Sequence, residues 1–190
     1  MTDATAAARL SAALADWLAG APPPQWPEAE APELRTRLLR AGLGALFYGW
    51  GLSDPTGELR AAYLCSLARH EHWRRAGADL CARLESAGIP CLPLRGPFAG
   101  CRWYPDPAAR TFADLDVLVL RADRDRALQV LQNAGYALPH PRLSPRFYRA
   151  AHLHYPLRHA GLGIRCDLHW AVDHPFRHSR IPYREIFAAA

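Results

Sequence analysis

Hydrophobic and polar positions alternate most clearly in "DLDVLVL", residues 114–120, where Leu115, Val117 and Val119 are set against Asp114 and Asp116. Side chains i and i+2 of a strand share a face, so the pattern predicts a strand with both acids together and an apolar opposite face. A second alternation runs through "GIRCDLHWAV" (163–172): Ile164, Cys166, Leu168 and Trp170 oppose Arg165, Asp167 and His169. "AHLHYPLRH" (151–159) reads as the strand before it, across a turn at "AGLG". Helical spacing appears over 4–19, with Leu10, Leu14, Trp17 and Leu18 on one side, and over 33–41 after Pro32. The strongest helix is predicted over 58–87, its stripe carrying Leu59, Tyr63, Leu67, Trp73, Leu80 and Leu84, with Gly88 as its stop.

Between these elements, 89–94 predicts a short strand, Gly96 a turn and Pro97 the start of a helix. Residues 105–110 read as a turn. Residues 122–134 read as a helix with Ala127, Leu128, Val130 and Leu131 inward. The three prolines of 137–147 predict a loop, 42–57 shows no period that assigns an element, and 173–190 is a polar, then aromatic and Ala-rich tail. Trp50, Trp73, Trp103 and Trp170 read as packing residues. Helices followed by the order β-α-β-α-β-β predict an α+β fold: a small mixed β-sheet with helices on one face and an N-terminal helical layer. The expected division is an N-terminal helical segment, 1–57, and a core, 58–190.

Composition changes this picture little. Of 190 residues half are hydrophobic, enough for a sizeable core. The net charge of +5 rests on arginine alone, since the sequence has no lysine; it suits an anionic ligand such as a nucleotide or RNA. Five cysteines without a C-x-x-C argue against a disulfide framework or zinc knuckle and for reduced thiols, so a cytoplasmic location is expected. Arg9 and Asp16 interrupt the Ala-rich start, which reads as an amphipathic helix and not a signal peptide. No run of 18 apolar residues exists, so no membrane span is expected.

The acids carry the chemistry. Two like charges on one strand face repel, and burying either without a partner is costly. Magnesium is the natural compensation, because it binds through one or two carboxylates plus substrate phosphates. An exposed strand start with arginine partners gives the same pattern. Asp167 adds a third acid: if its strand lies beside 114–120, three carboxylates converge as two-metal phosphoryl or nucleotidyl transfer requires. Upstream, a strand-to-helix turn at Gly96 offers backbone N–H groups to phosphate, and Arg95 adds a forked donor. The nine histidines match no zinc-ligand spacing, so a zinc site is not expected. His152 and His154 are expected on one strand face near the acids. His169, on the face of Asp167, is placed to orient it or to touch phosphate.

The stretch "LPLRGPFAGCRWYPDPAARTFADLDVLVL", the helix and "AGY" that follow it, and the later "CDLHW" resemble the uncharacterised bacterial nucleotidyltransferases of the polymerase-β-like superfamily. The resemblance covers about residues 60–190. It implies a nucleotidyltransferase core in which Asp114, Asp116 and Asp167 are the catalytic and metal-binding carboxylates. It implies Mg2+ or Mn2+ as cofactor, with Arg95, Gly96 and Arg110 on the phosphates of an NTP. The implied reaction moves a nucleoside monophosphate from an NTP to a small molecule, peptide, protein or RNA acceptor. Pro97 stands where better-known relatives have a serine, Ala113 stands where a serine precedes the acid pair, and relatives continue into further helices beyond "PYREIFAAA", so a truncated or naturally short core is expected. The rival readings are a non-catalytic nucleotide- or partner-binding module with this fold and a toxin-like transferase acting on RNA.

Overall fold

In the computed structural model, residues 8, 11–13, 15–17, 19–22, 31–140, 142–172 and 181–189 are described. They fall into two units: Met1–Glu71 with Ala99–Thr111, and His72–Phe98 with Phe112–Ala190. Of the expected helix 4–19, residues 8, 11–13 and 15–17 are helical and Trp17 is buried, while Leu10, Leu14 and Leu18 lie outside the described residues, as do 23–30 and 173–180.

The first unit is helical. Helix α1 spans Ala31–Arg40 and helix α2 spans Gly44–Gly49. Their core joins Trp17, Leu38, Phe47, Trp50, Leu59 and Ala109. Helix α2 lies where the sequence assigned no element. Six residues are less than two turns, too short for a period to show. Helix α3, Glu58–Ser86, begins in this unit and ends in the second. Leu67 departs from its expected stripe and is 43% exposed. Helix α4, Pro97–Trp103, is followed by a 3-10 turn, Pro107–Ala109, whose Asp106 Oδ1 accepts from the Ala108 N–H (2.9 Å). Trp103 is 64% exposed, so it is not a packing residue.

The second unit is built on a five-stranded mixed sheet in the order β1-β2-β5-β4-β3. The strands are β1 (Cys91–Pro93), β2 (Leu115–Val119), β3 (Tyr136–Ala137), β4 (His154–His159) and β5 (Ile164–His169). Helix α5 (Arg124–Asn133) follows β2, and helix α6 (Pro145–Ala151) precedes β4. The fold is thus α+β with a mixed sheet: β2 and β5 are parallel and the other pairs antiparallel. Strand β3 and helix α6 lie in the stretch from Gly135 to β4, where a loop was expected over 137–147. Pro145 at the first turn of α6 removes no helical bond, which is why a proline-rich stretch still forms a helix there. His152 caps α6 and so does not stand on a strand with His154.

One sheet face packs Leu115, Val117, Val119, Cys166, Leu168, Leu157 and Tyr155 against Leu80 and Leu84 of α3 and Leu128 and Leu131 of α5. These side chains are almost fully removed from water. At about 25 cal/mol per Å² of apolar area, such burial is the main force fixing which way β2 and β5 face. A one-residue slip of either strand would bury its charged face, so the apolar face also fixes the register. Strand β3 covers only Arg158 and His159 of β4, leaving Pro156 on the uncovered part, where a missing N–H is tolerated.

Candidate active site

The register of β2 on β5 sets the site. Asp116 is the Cα partner of Asp167, and Pro156 of β4 is the next residue in that row. The following row on the same face runs Leu118, His169, His154. Asp114, two residues before Asp116, lies just ahead of the paired strand. Asp114, Asp167, His154, Pro156, Arg158 and Arg165 line a cleft of about 230 Å³. The acids therefore gather on the face opposite the apolar core, as two-residue alternation requires.

The three carboxylates are not equivalent. Asp116 is 1% exposed, and its Oδ1 accepts from Arg95 Nη2 (2.8 Å) and from His169 Nε2 (2.9 Å). Burial pushes its pKa up, but the His169 and Arg95 hydrogen bonds and charges outweigh this and hold it below the usual carboxylate value. Asp167 moves the other way. Burial raises it, His154 and His169 pull it down, and Asp114 and Asp116 push it up again, with a net rise. His154 Nε2 stands 3.6 Å from Asp167 Oδ2, and burial lowers the His154 pKa, which favours the neutral ring. Arg95 donates directly to Asp116, and the cleft wall sets Arg158 and Arg165 against Asp114 and Asp167.

Each predicted residue has a definite place. Asp114, Asp116 and Asp167 come together on one face. Arg95 reaches Asp116 while its side chain stays 63% exposed. Gly96 is buried with φ +73°, and a Cβ there would lie 2.7 Å from the Asp114 carbonyl oxygen. Only glycine lets the turn approach the acid segment this closely. Arg110 belongs to the first unit, at the end of its 3-10 turn. His169 meets Asp116 on the neighbouring strand and not Asp167 on its own, because a long side chain reaches diagonally across a ladder. The residue that sequence reasoning named without a role is Arg165, whose Nε donates to the Ala113 carbonyl (2.9 Å) and whose side chain joins the cleft wall. Its place two residues before Asp167 was the available signal.

The donor chemistry fits a divalent cation. Asp114 and Asp167 on the cleft wall, with Asp116 beside Asp167, offer the oxygen ligands that magnesium takes. Ring nitrogens of His154 and His169 and a carboxylate oxygen of Asp167 also lie within 4.8 Å of one another.

A family model described as uncharacterised nucleotidyltransferase matches residues 6–190. The chain belongs to this family. No curated protein and no solved structure matches it. Family membership gives the general reaction class, a nucleotidyltransferase acting on a nucleotide substrate, and so an enzyme. No helix among the described residues is long and apolar enough to cross a membrane.

Proposed function

We propose that this nucleotidyltransferase moves a nucleoside monophosphate from an NTP to an acceptor hydroxyl, with Mg2+ or Mn2+ held by Asp114, Asp116 and Asp167. The observation that carries the reading is the in-register pairing of Asp116 with Asp167 across parallel strands, with Asp114 on the same face. The acceptor oxygen forms a bond to the α-phosphorus, the bond from that phosphorus to the β-phosphate bridge breaks, and pyrophosphate leaves. The hydroxyl proton passes to Asp167. A bound divalent ion would neutralise phosphate charge and lower the cost of the attacking oxygen. Arg95, largely exposed even while it reaches Asp116, can meet a phosphate oxygen as well. Backbone N–H groups at Gly96 add donors. The resemblance adds Arg110 as a phosphate partner, and an Arg110→Ala variant that binds NTP like the wild type would remove it.

A second reading, a nucleotide- or partner-binding module without catalysis, is favoured by one observation: Asp116 already has its charge met by Arg95 and His169. Incubation of the full chain with α-labelled NTPs, Mg2+ or Mn2+ and cell extract separates the two. The transferase reading expects a labelled product that Asp167→Ala abolishes while much NTP binding survives. It also expects metal-dependent NTP binding that Asp116→Asn weakens strongly, since charge and not shape holds the cation. Absence of product under every NTP and metal, with NTP binding retained, leaves the module. Equal NTP affinity with and without metal sinks the site as drawn.

A further inference from the structure

His154 lines the acid cleft, and His169 stands beside it with its Nε2 on Asp116 Oδ1 at 2.9 Å. His154 Nε2 and Asp167 Oδ2 are 3.6 Å apart. That is too long for a hydrogen bond, which needs about 2.7–3.2 Å. It is close to the edge of a tetrahedral ion site, about 3.4 Å for bonds of about 2.1 Å. His169 completes the group, since one ligand atom from each of His154, Asp167 and His169 lies within 4.8 Å of the others. The rings of His154 and His169 are neighbours, 5.0 Å between centroids. The Nδ1 atom of His169 is buried with no hydrogen-bond partner, so this ring has unmet donor or acceptor capacity. All three residues are half-buried, and His154 and Asp167 open onto the cleft, which gives an ion a route in.

Donor type then decides which ion. Magnesium takes oxygen ligands and demands near-octahedral geometry. Two imidazoles and one carboxylate suit Zn2+, Mn2+ and their first-row neighbours. We propose that His154, Asp167 and His169 form a transition-metal site in the acid cleft, selective for Zn2+- or Mn2+-class ions over Mg2+. Asp167 is then shared between the carboxylate set and the histidine set. The inference deepens the nucleotidyl-transfer reading and rests on it for what the ion is used for, but not for the binding of the ion.

The test uses the full chain without nucleotide. Calorimetry with Zn2+, Mn2+ and Mg2+ is expected to show one site that binds Zn2+ and Mn2+ at least about tenfold more tightly than Mg2+. His154→Ala is expected to weaken Zn2+ binding by at least about tenfold, an effect the size of losing a supporting ligand or more. His154→Gln, which keeps a polar strand residue, guards against a variant that fails to fold. Pulsed electron paramagnetic resonance of the Mn2+-loaded wild type needs no variant and should show histidine nitrogen coupling. Equal affinity for Mg2+ and Zn2+, no loss in folded His154 variants, or no nitrogen coupling each overturns the proposal. NTP binding with Mg2+ but without nitrogen coupling would end this inference alone. Histidine-bound Mn2+ in a chain that binds no NTP would end the nucleotidyl-transfer reading alone.

Discussion

Two aspartates of the second unit have nearly the same local chemistry and different meaning. Asp125 accepts from the Tyr155 hydroxyl (2.6 Å) and from Arg149 Nη1 (3.1 Å), with Arg124 at 3.8 Å. Asp116 accepts from Arg95 and His169 at similar distances. In both, burial pushes the pKa up and hydrogen bonds with nearby cations pull it further down. An ion pair and a depressed pKa therefore mark neither one as functional. The difference lies in the acidic neighbours. Asp125 is set by a tyrosine and two arginines. Asp116 has Asp167 beside it on the ladder and Asp114 two residues away, and those two acids line a cleft. Each pushes the Asp167 pKa up. A carboxylate whose acidic neighbours raise its pKa on a cleft wall is the feature that points to a ligand.

The substitution expected to separate the two regions most is Gly96→Ala. Its Cβ would need the space held by the Asp114 carbonyl, a backbone atom that cannot swing aside, and φ +73° adds strain. The expected cost is about 1–3 kcal/mol of stability, with loss of metal-dependent NTP binding as Asp114 is displaced. The Tyr155–Asp125 pair should stay intact, and unchanged NTP binding in a folded Gly96→Ala chain would show that the turn does not position the acids.

Next in size is a pair of opposite signs. Asp125→Ala leaves the Tyr155 hydroxyl without its acceptor, and since water reaches this half-exposed carboxylate the expected loss is only about 1 kcal/mol. Asp167→Asn relieves repulsion among three acids, so in the absence of divalent ions it should gain about 0.5–2 kcal/mol while abolishing transfer. Thermal or denaturant unfolding of the two variants in chelator reads both numbers. A loss of stability in Asp167→Asn would mean that His154 and His169 already balance the third acid.

The strands that carry the acids were legible in the sequence because a half-buried strand leaves a period of two: every residue of one face of β5 is buried in the structure, and the other face is not. What could not be read was the register. Asp167 falls opposite Asp116 only because the apolar faces of β2 and β5 meet the same helices. Partners were less legible than residues. Arg95 was marked for its forked donor, yet its contact is Asp116. His169 was marked for its face, yet it bonds across the ladder. Elements shorter than two periods, β3 and helix α2, left no pattern to detect. The histidine spacing around Asp167 matches no linear motif because β4 and β5 bring it together through antiparallel pairing of His154 with His169.

The smallest effect is the acid limb of the stability curve, where the two regions should again part. Asp116 and Asp125 have folded pKa values below the ordinary carboxylate value. Their stabilisation is present above the unfolded carboxylate range and is lost as pH falls through the lowered values. Asp167 has a raised folded pKa, so its contribution has the reverse slope: stability is lost as pH rises through the raised value and regained on acidification. The difference in Tm between Asp167→Asn and the wild type should therefore shrink as pH falls toward the ordinary carboxylate range, while the difference for Asp125→Ala persists until still lower pH. His154 titrates nearby, and its lowered pKa brings a penalty as pH drops below the ordinary imidazole range. Repeating the series in a His154→Gln background isolates the carboxylate. If the Asp167→Asn difference in that background stays constant from neutral pH to the carboxylate range, then its acidic neighbours do not raise Asp167, and the contrast between the two regions loses its physical basis.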